Sequence, residues 1–169
     1  MHIDDDHLYH GAALIQIAED PRFTAINSLK IGSKTISVAY KINDEIAVYL
    51  KYASKPTPAH KEYTFVFKEG QLNELATIAK HNHQTFVALV CVADREICCI
   101  SYKTLTALVA QRKIASGGKS EEQYVVLVTA QKGKSLRMYM NQPNKKNTIM
   151  GKQILVSRKD FPEALFVRS

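Results

Sequence analysis

Two short strings, Gly118-Lys119-Ser120 and Gly133-Lys134-Ser135, carry the Gly-Lys-Ser ending of a phosphate-binding loop. Such a loop needs another glycine five positions earlier, so that successive backbone N–H groups can wrap the phosphates. Lys113 and Val128 stand at those positions, and both strings fail as nucleotide-binding loops. His81-Asn82-His83 has the letters of a nuclease motif, but its residues are contiguous at the end of an expected helix, where imidazoles complement the negative helix terminus. His7 and His10 are spaced i, i+3 beside Asp6, which suits a pair of metal ligands. No third donor is near in sequence, so no metal site is assigned. Cys91, Cys98 and Cys99 lie in apolar runs without a C-x-x-C pair, and read as buried free thiols in a reducing compartment. No serine or cysteine stands in a nucleophile elbow.

The elements that must position any site follow from hydrophobic period. Leu8, Ala12, Ile15 and Glu19 predict a helix over 7–19 capped by Asp6, with 1–6 as a flexible N-terminus. Asp20-Pro21 reads as a second helix start, with Phe23, Ile26 and Leu29 on one face and Gly32 as its stop. From Thr35 the period changes to two, and Asn43-Asp44 separates the strands of a hairpin over 35–52. A third strand over 63–67, a helix over 71–81, a central strand over 86–92 and a strand over 97–102 come next. A helix through Leu105 and Leu108, a second hairpin over 124–140, a last strand over 153–157 and an apolar tail complete the chain. The expected fold class is α+β, a central mixed and largely antiparallel sheet flanked by helices, in the order αβββαβ followed by an extra β-hairpin. With 169 residues, a single domain over 1–169 is expected.

The order over residues 7–92 resembles the core of the restriction-endonuclease-like, PD-(D/E)XK, nucleases. The resemblance implies a helical Glu, an Asp opening the second strand and an acid-x-Lys pair that hold a divalent metal and activate water. By position these are Glu19, Asp44 and Lys51 as catalytic residues, with Mg²⁺ as cofactor in that case alone. Tyr49-Leu50 precedes Lys51, so the second acidic ligand is missing. A catalytically degenerate member of the family is what the resemblance implies.

Charge divides the chain more sharply than any motif. Residues 1–102 carry a balance of −2 and residues 103–169 one of +9, within a total of +7. A basic subregion over 119–169 points to a polyanionic partner. Lys132 and Lys134 sit on an expected hairpin tip, Arg137 on its returning strand, and Lys145 and Lys146 in a loop. Lys152, Arg158 and Lys159 flank the last strand. These eight are the expected nucleic-acid contacts, to DNA or RNA, with Tyr124 and Tyr139 as stacking faces for unpaired bases. The leading expectation is a non-catalytic, cofactor-free nucleic-acid-binding module. A metal-dependent nuclease is one alternative, and a protein-interaction module or homodimer built on Phe161, Leu165 and Phe166 is another. No apolar run is long enough to span a membrane, and the acidic start lacks the basic region of a secretory signal, so a cytoplasmic protein is expected.

Overall fold

The computed structural model describes residues 1–167. Its first helix, α1 (Asp5–Glu19), starts earlier than its apolar pattern suggests. Asp4 is the cap: its carboxylate accepts from the His7 N–H at 2.9 Å, and His7 Nδ1 accepts from the Asp4 N–H at 3.1 Å. Asp5 and Asp6 therefore belong to the helix and do not form a flexible lead. The buried face is His10, Ala13 and Ile17, whereas Leu8 and Ile15 of the expected stripe are 55% and 62% exposed. A helical period allows either stripe.

The second helix is absent, and Ile26–Ile31 forms strand β1 instead. Its i, i+3 apolar spacing fitted a helix, but pairing with β2 (Lys34–Ile42) outweighs that weak local preference. Gly32, expected as a helix stop, turns this hairpin at φ +61, a conformation that costs glycine little. Asn43 and Asp44 also adopt left-handed backbone and lead into β3 (Ile46–Ala53). The Asn43 carboxamide oxygen accepts from the Thr24 and Ala25 N–H groups, and its nitrogen donates to the Arg22 carbonyl. One side chain thus ties the turn to the segment that replaced the helix.

Strand β4 (Glu62–Lys68) and helix α2 (Glu69–His81) lead to β5 (Gln84–Cys91), which runs parallel to β3. Then follow β6 (Glu96–Ser101), α3 (Tyr102–Ala115), β7 (Gln123–Thr129), β8 (Leu136–Tyr139), β9 (Ile154–Val156) and α4 (Asp160–Phe166). The fold is α+β, and its strands form two sheets. One has the order β1-β2-β3-β5-β6, antiparallel except at β3 and β5; the other is β4-β7-β8-β9. The third strand of the expected αβββαβ run thus leaves the central sheet. Its seven residues from Glu62 to Lys68 pair instead with Thr129 to Gln123 of β7.

The reason lies in its alternating aromatics. Tyr63, Phe65 and Phe67 are buried in the layer between the sheets, against Ala47, Tyr49, Val87 and Leu89 of the central one. Leu75 and Ile78 of α2 and Leu105 and Leu108 of α3 join that layer. On the opposite face, Ala13 and Ile17 of α1 and Phe161 and Leu165 of α4 cover Val48, Leu50, Ala88 and Cys99. The apolar tail thus closes this protein's own core. All three cysteines are free and buried, and burial pushes their thiols up, that of Cys99 to about 12. No helix among the described residues is long and apolar enough to cross a membrane.

Tyr63 ties the layers together. Its hydroxyl donates to the Asp94 carboxylate and accepts from the Asp94 N–H at 2.9 Å, fixing the β5–β6 turn to β4. Tyr63→Phe leaves both Asp94 groups without this partner and should lower stability by about 1–3 kcal/mol. Urea unfolding with an unchanged m-value is the check.

Candidate functional site

The residues implied by the nuclease resemblance do not converge. Glu19 is exposed at the end of α1. Asp44 is exposed in the β2–β3 turn, 3.4 Å from the Asn27 side-chain nitrogen. Lys51 lies seven residues further on. Along an extended strand that separation is roughly 23 Å, too far for one metal centre. Element order fixes which strand a residue is on, not which end of it.

The basic residues also divide. Arg158 is a structural latch, donating to the carbonyls of Lys134 and Gln131 and to Glu96 Oε1 at 2.7–2.9 Å. That removes it from the expected nucleic-acid contacts. Lys132 and Lys134 are exposed at the β7–β8 turn, and Arg137 is half-buried between Thr129 and Leu155 in the strand register. Lys145 and Lys146 occupy the β8–β9 loop at the other end of the sheet, with Lys152 further along that loop. Lys159 is exposed ahead of α4. Tyr124 and Tyr139 offer no stacking face, because both are buried, Tyr124 in the core and Tyr139 with its hydroxyl on the Glu62 carboxylate.

A different constellation surrounds Lys51. Strand β2 pairs with β3 only from Ala39↔Tyr49 to Ile42↔Ile46, so beyond Tyr49 the two strands part. The gap is a cleft of about 360 Å³ lined by Asp6 and His10 of α1, Lys51 and Tyr52 of β3, Thr64 of β4 and Gln71 of α2. Lys51 Nζ stands 4.9 Å over the Phe67 ring and 3.4 Å from Gln71 Oε1. Among the described residues no carboxylate pairs with it. Burial, reinforced by the like charge of Lys68, pushes its pKa down. His10 is 7% exposed, its ring edge-on to Tyr52, and its Nε2 has no hydrogen-bond partner. A half-buried ammonium held by a ring face and an amide thus shares the cleft with the Asp6 carboxylate without forming an ion pair with it.

His7 and His10, spaced as a metal pair, do not act as one. His7 caps the helix start in the open and the two imidazoles serve different ends. A divalent metal, which the nuclease resemblance implies, does not fit here. Hard cations take six or more oxygen ligands, and the cleft offers one carboxylate and one imidazole. Among the described residues no group of three His, Cys, Asp or Glu side chains could hold a metal.

The cleft continues across β4. Thr64 lines both it and a groove of about 570 Å³ on the outer face of the second sheet. Val125 and Leu127 form the floor of that groove, and Lys145 and Lys146 its rim. The carboxylates along it are already engaged: Glu62 by the Tyr139 hydroxyl, and Glu121 by both Nε and Nη2 of Arg112 at 2.8 Å. Lys68 is exposed on the same face of β4 as Thr64, by strand alternation. Lys51 in the cleft and Lys145 and Lys146 in the groove thus belong to two hollows that share Thr64. No protein-family model, no curated protein and no solved structure matches this chain.

Two expectations separate structural from binding roles. Arg158→Gln should lower stability by about 1–3 kcal/mol in urea unfolding through its lost charged hydrogen bonds, without weakening polyanion binding. For His10, burial outweighs the upward pull of Asp6 and Asp4, with Lys51 adding to the depression, so its pKa lies below 6.5 in the folded state. The unfolded chain therefore takes up the proton first, and stability falls as pH drops through and below about 6.5. His10→Gln should flatten that part of a stability profile between pH 7 and 5, measured by thermal unfolding.

Proposed function

We propose that this protein binds a single strand of nucleic acid, without cleaving it, across β4 from the Lys51 cleft to the Lys145-Lys146 rim. The observation that carries the reading is Lys51: a half-buried cation that, among the described residues, forms no ion pair, in a cleft that shares Thr64 with a groove rimmed by Lys145 and Lys146. A phosphate supplies the missing counter-charge there. The apolar floor of Val125 and Leu127 suits an unstacked base, which a duplex would keep inside its stack. Binding of this kind is weakly sequence-selective, since the groove presents few groups to base edges. The three buried free cysteines accord with a reducing, cytoplasmic location.

Fluorescence anisotropy with a labelled single-stranded oligonucleotide tests the reading. Four engaged lysines give a slope of log K against log salt of about −2.8, and Lys145→Ala with Lys146→Ala should reduce its magnitude by about 1.4. Lys51→Met should weaken binding at every salt concentration. Lys132→Ala with Lys134→Ala, at the far end of the sheet, should change affinity little. Absence of binding at low salt, or an equal loss from both lysine pairs, rejects the proposal. With Mg²⁺ or Mn²⁺ added the oligonucleotide should stay intact; cleavage abolished by Asp44→Ala would restore the hydrolytic alternative.

A further inference from the structure

Helix α1 has two apolar faces and buries one of them. His10, Ala13 and Ile17 face the core, while Leu8, Ala12 and Ile15, spaced i, i+4 and i+7, form a stripe on the opposite side that is open to solvent. Leu8 and Ile15 are more than half exposed, and with Met1 and Ile3 they make up four of the eight large apolar side chains left exposed among the described residues. Gly11 lies beside this stripe in mid-helix. Glycine there costs helix stability relative to alanine, yet no positive φ requires it and a Cβ at this position would meet nothing within 4 Å. Between the larger Leu8 and Ile15, Gly11 and Ala12 leave a depression in which a second helix can approach closely, its own side chains entering the gap.

Charge selects the occupant. The exposed Asp5 and Glu19 close the two ends of the stripe, one a turn before Leu8 and the other a turn beyond Ile15, and the helix contains no lysine or arginine. Pairing with α1 of a second copy would set these carboxylates against each other in either direction, which disfavours self-association. Glu19 and the carbonyl end of the helix, with no basic residue in the last turn, call for cations from outside. We propose that this face docks an amphipathic helix of another protein, whose apolar seam packs on Leu8, Ala12 and Ile15 and whose lysines or arginines meet Asp5 and Glu19. Asp6 and His10 lie on the other side of α1, lining the Lys51 cleft, so docking is independent of the strand bound over β4.

Titration of the full-length, isotope-labelled protein by nuclear magnetic resonance tests it, with two synthetic amphipathic helical peptides as probes. Both carry the same leucine seam, one flanked by lysine and the other by glutamate. Saturable shifts of the Leu8, Ala12 and Ile15 amides are expected with the leucine-lysine peptide, and binding of the leucine-glutamate peptide should be about tenfold weaker or less. Ile15→Ser should weaken the lysine peptide by about fivefold or more, without lowering the thermal midpoint of unfolding, because the side chain is exposed in the free protein. Gly11→Gln fills the depression and should weaken it similarly while leaving the fold intact, since open space surrounds that position. The proposal is overturned if neither peptide shifts these amides, if both bind equally, or if Gly11→Gln binds as tightly as the unaltered protein. It is also overturned if sedimentation shows a dimer that Ile15→Ser converts to a monomer, which would give the face to a second copy.

Discussion

The parallel pairing of Ile46–Ala53 with Gln84–Cys91 is the constraint on which the rest of the molecule depends. Both strands are buried on both faces over most of their length, so each face needs a cover. Parallel neighbours cannot be joined by a tight turn, and the connection has to leave the sheet and return. Here the crossover contains β4 as well as α2. In covering one face, it deposits an extra strand that recruits β7, β8 and β9 and so founds the second sheet. The opposite face is left to α1 and α4.

The cleft follows from the same arrangement. Strand β2 pairs with β3 over four residues only, whereas β1 follows it at both ends, across a register shift between Ser28 and Leu29. β4 passes that opening as the edge of its own sheet. The side chain of Lys51 meets Phe67 and Gln71 from the crossover instead of a partner strand. An ammonium held over an aromatic face and beside an amide is positioned but not neutralised. The two charged arginine clusters show the contrast: Arg112 is bound by a carboxylate and one backbone carbonyl, Arg158 by a carboxylate and two, and both serve as internal braces.

Much of the element pattern was legible in the chain. Alternation over 35–52 and the continuous apolar run at Phe86 identified strands correctly, because period two and unbroken hydrophobicity report burial on one face or on both. Ile26 to Ile31 was not legible, since six residues with one buried side chain carry no usable period, and cross-strand pairing alone makes them a strand. Of the cleft residues, the sequence singled out Lys51 only as the lysine of the nuclease resemblance, and His10 only as half of a pair with His7. Arg158 and Lys145 look alike as basic loop residues, yet one is buried in hydrogen bonds and the other borders a groove.

The sequence by itself determined the α+β class, the free and buried cysteines, and the concentration of positive charge after residue 102. Each of these depends on local period or composition, which a linear chain displays. Only the tertiary structure decided which strands share a sheet, which stripe of α1 is buried, and which lysines lie on one surface. Those outcomes depend on contacts between segments tens of residues apart. The pairing of β4 with β7 sets the Lys51 cleft beside the groove that Lys145 lines, with Thr64 common to both, and no pattern along the chain encodes that.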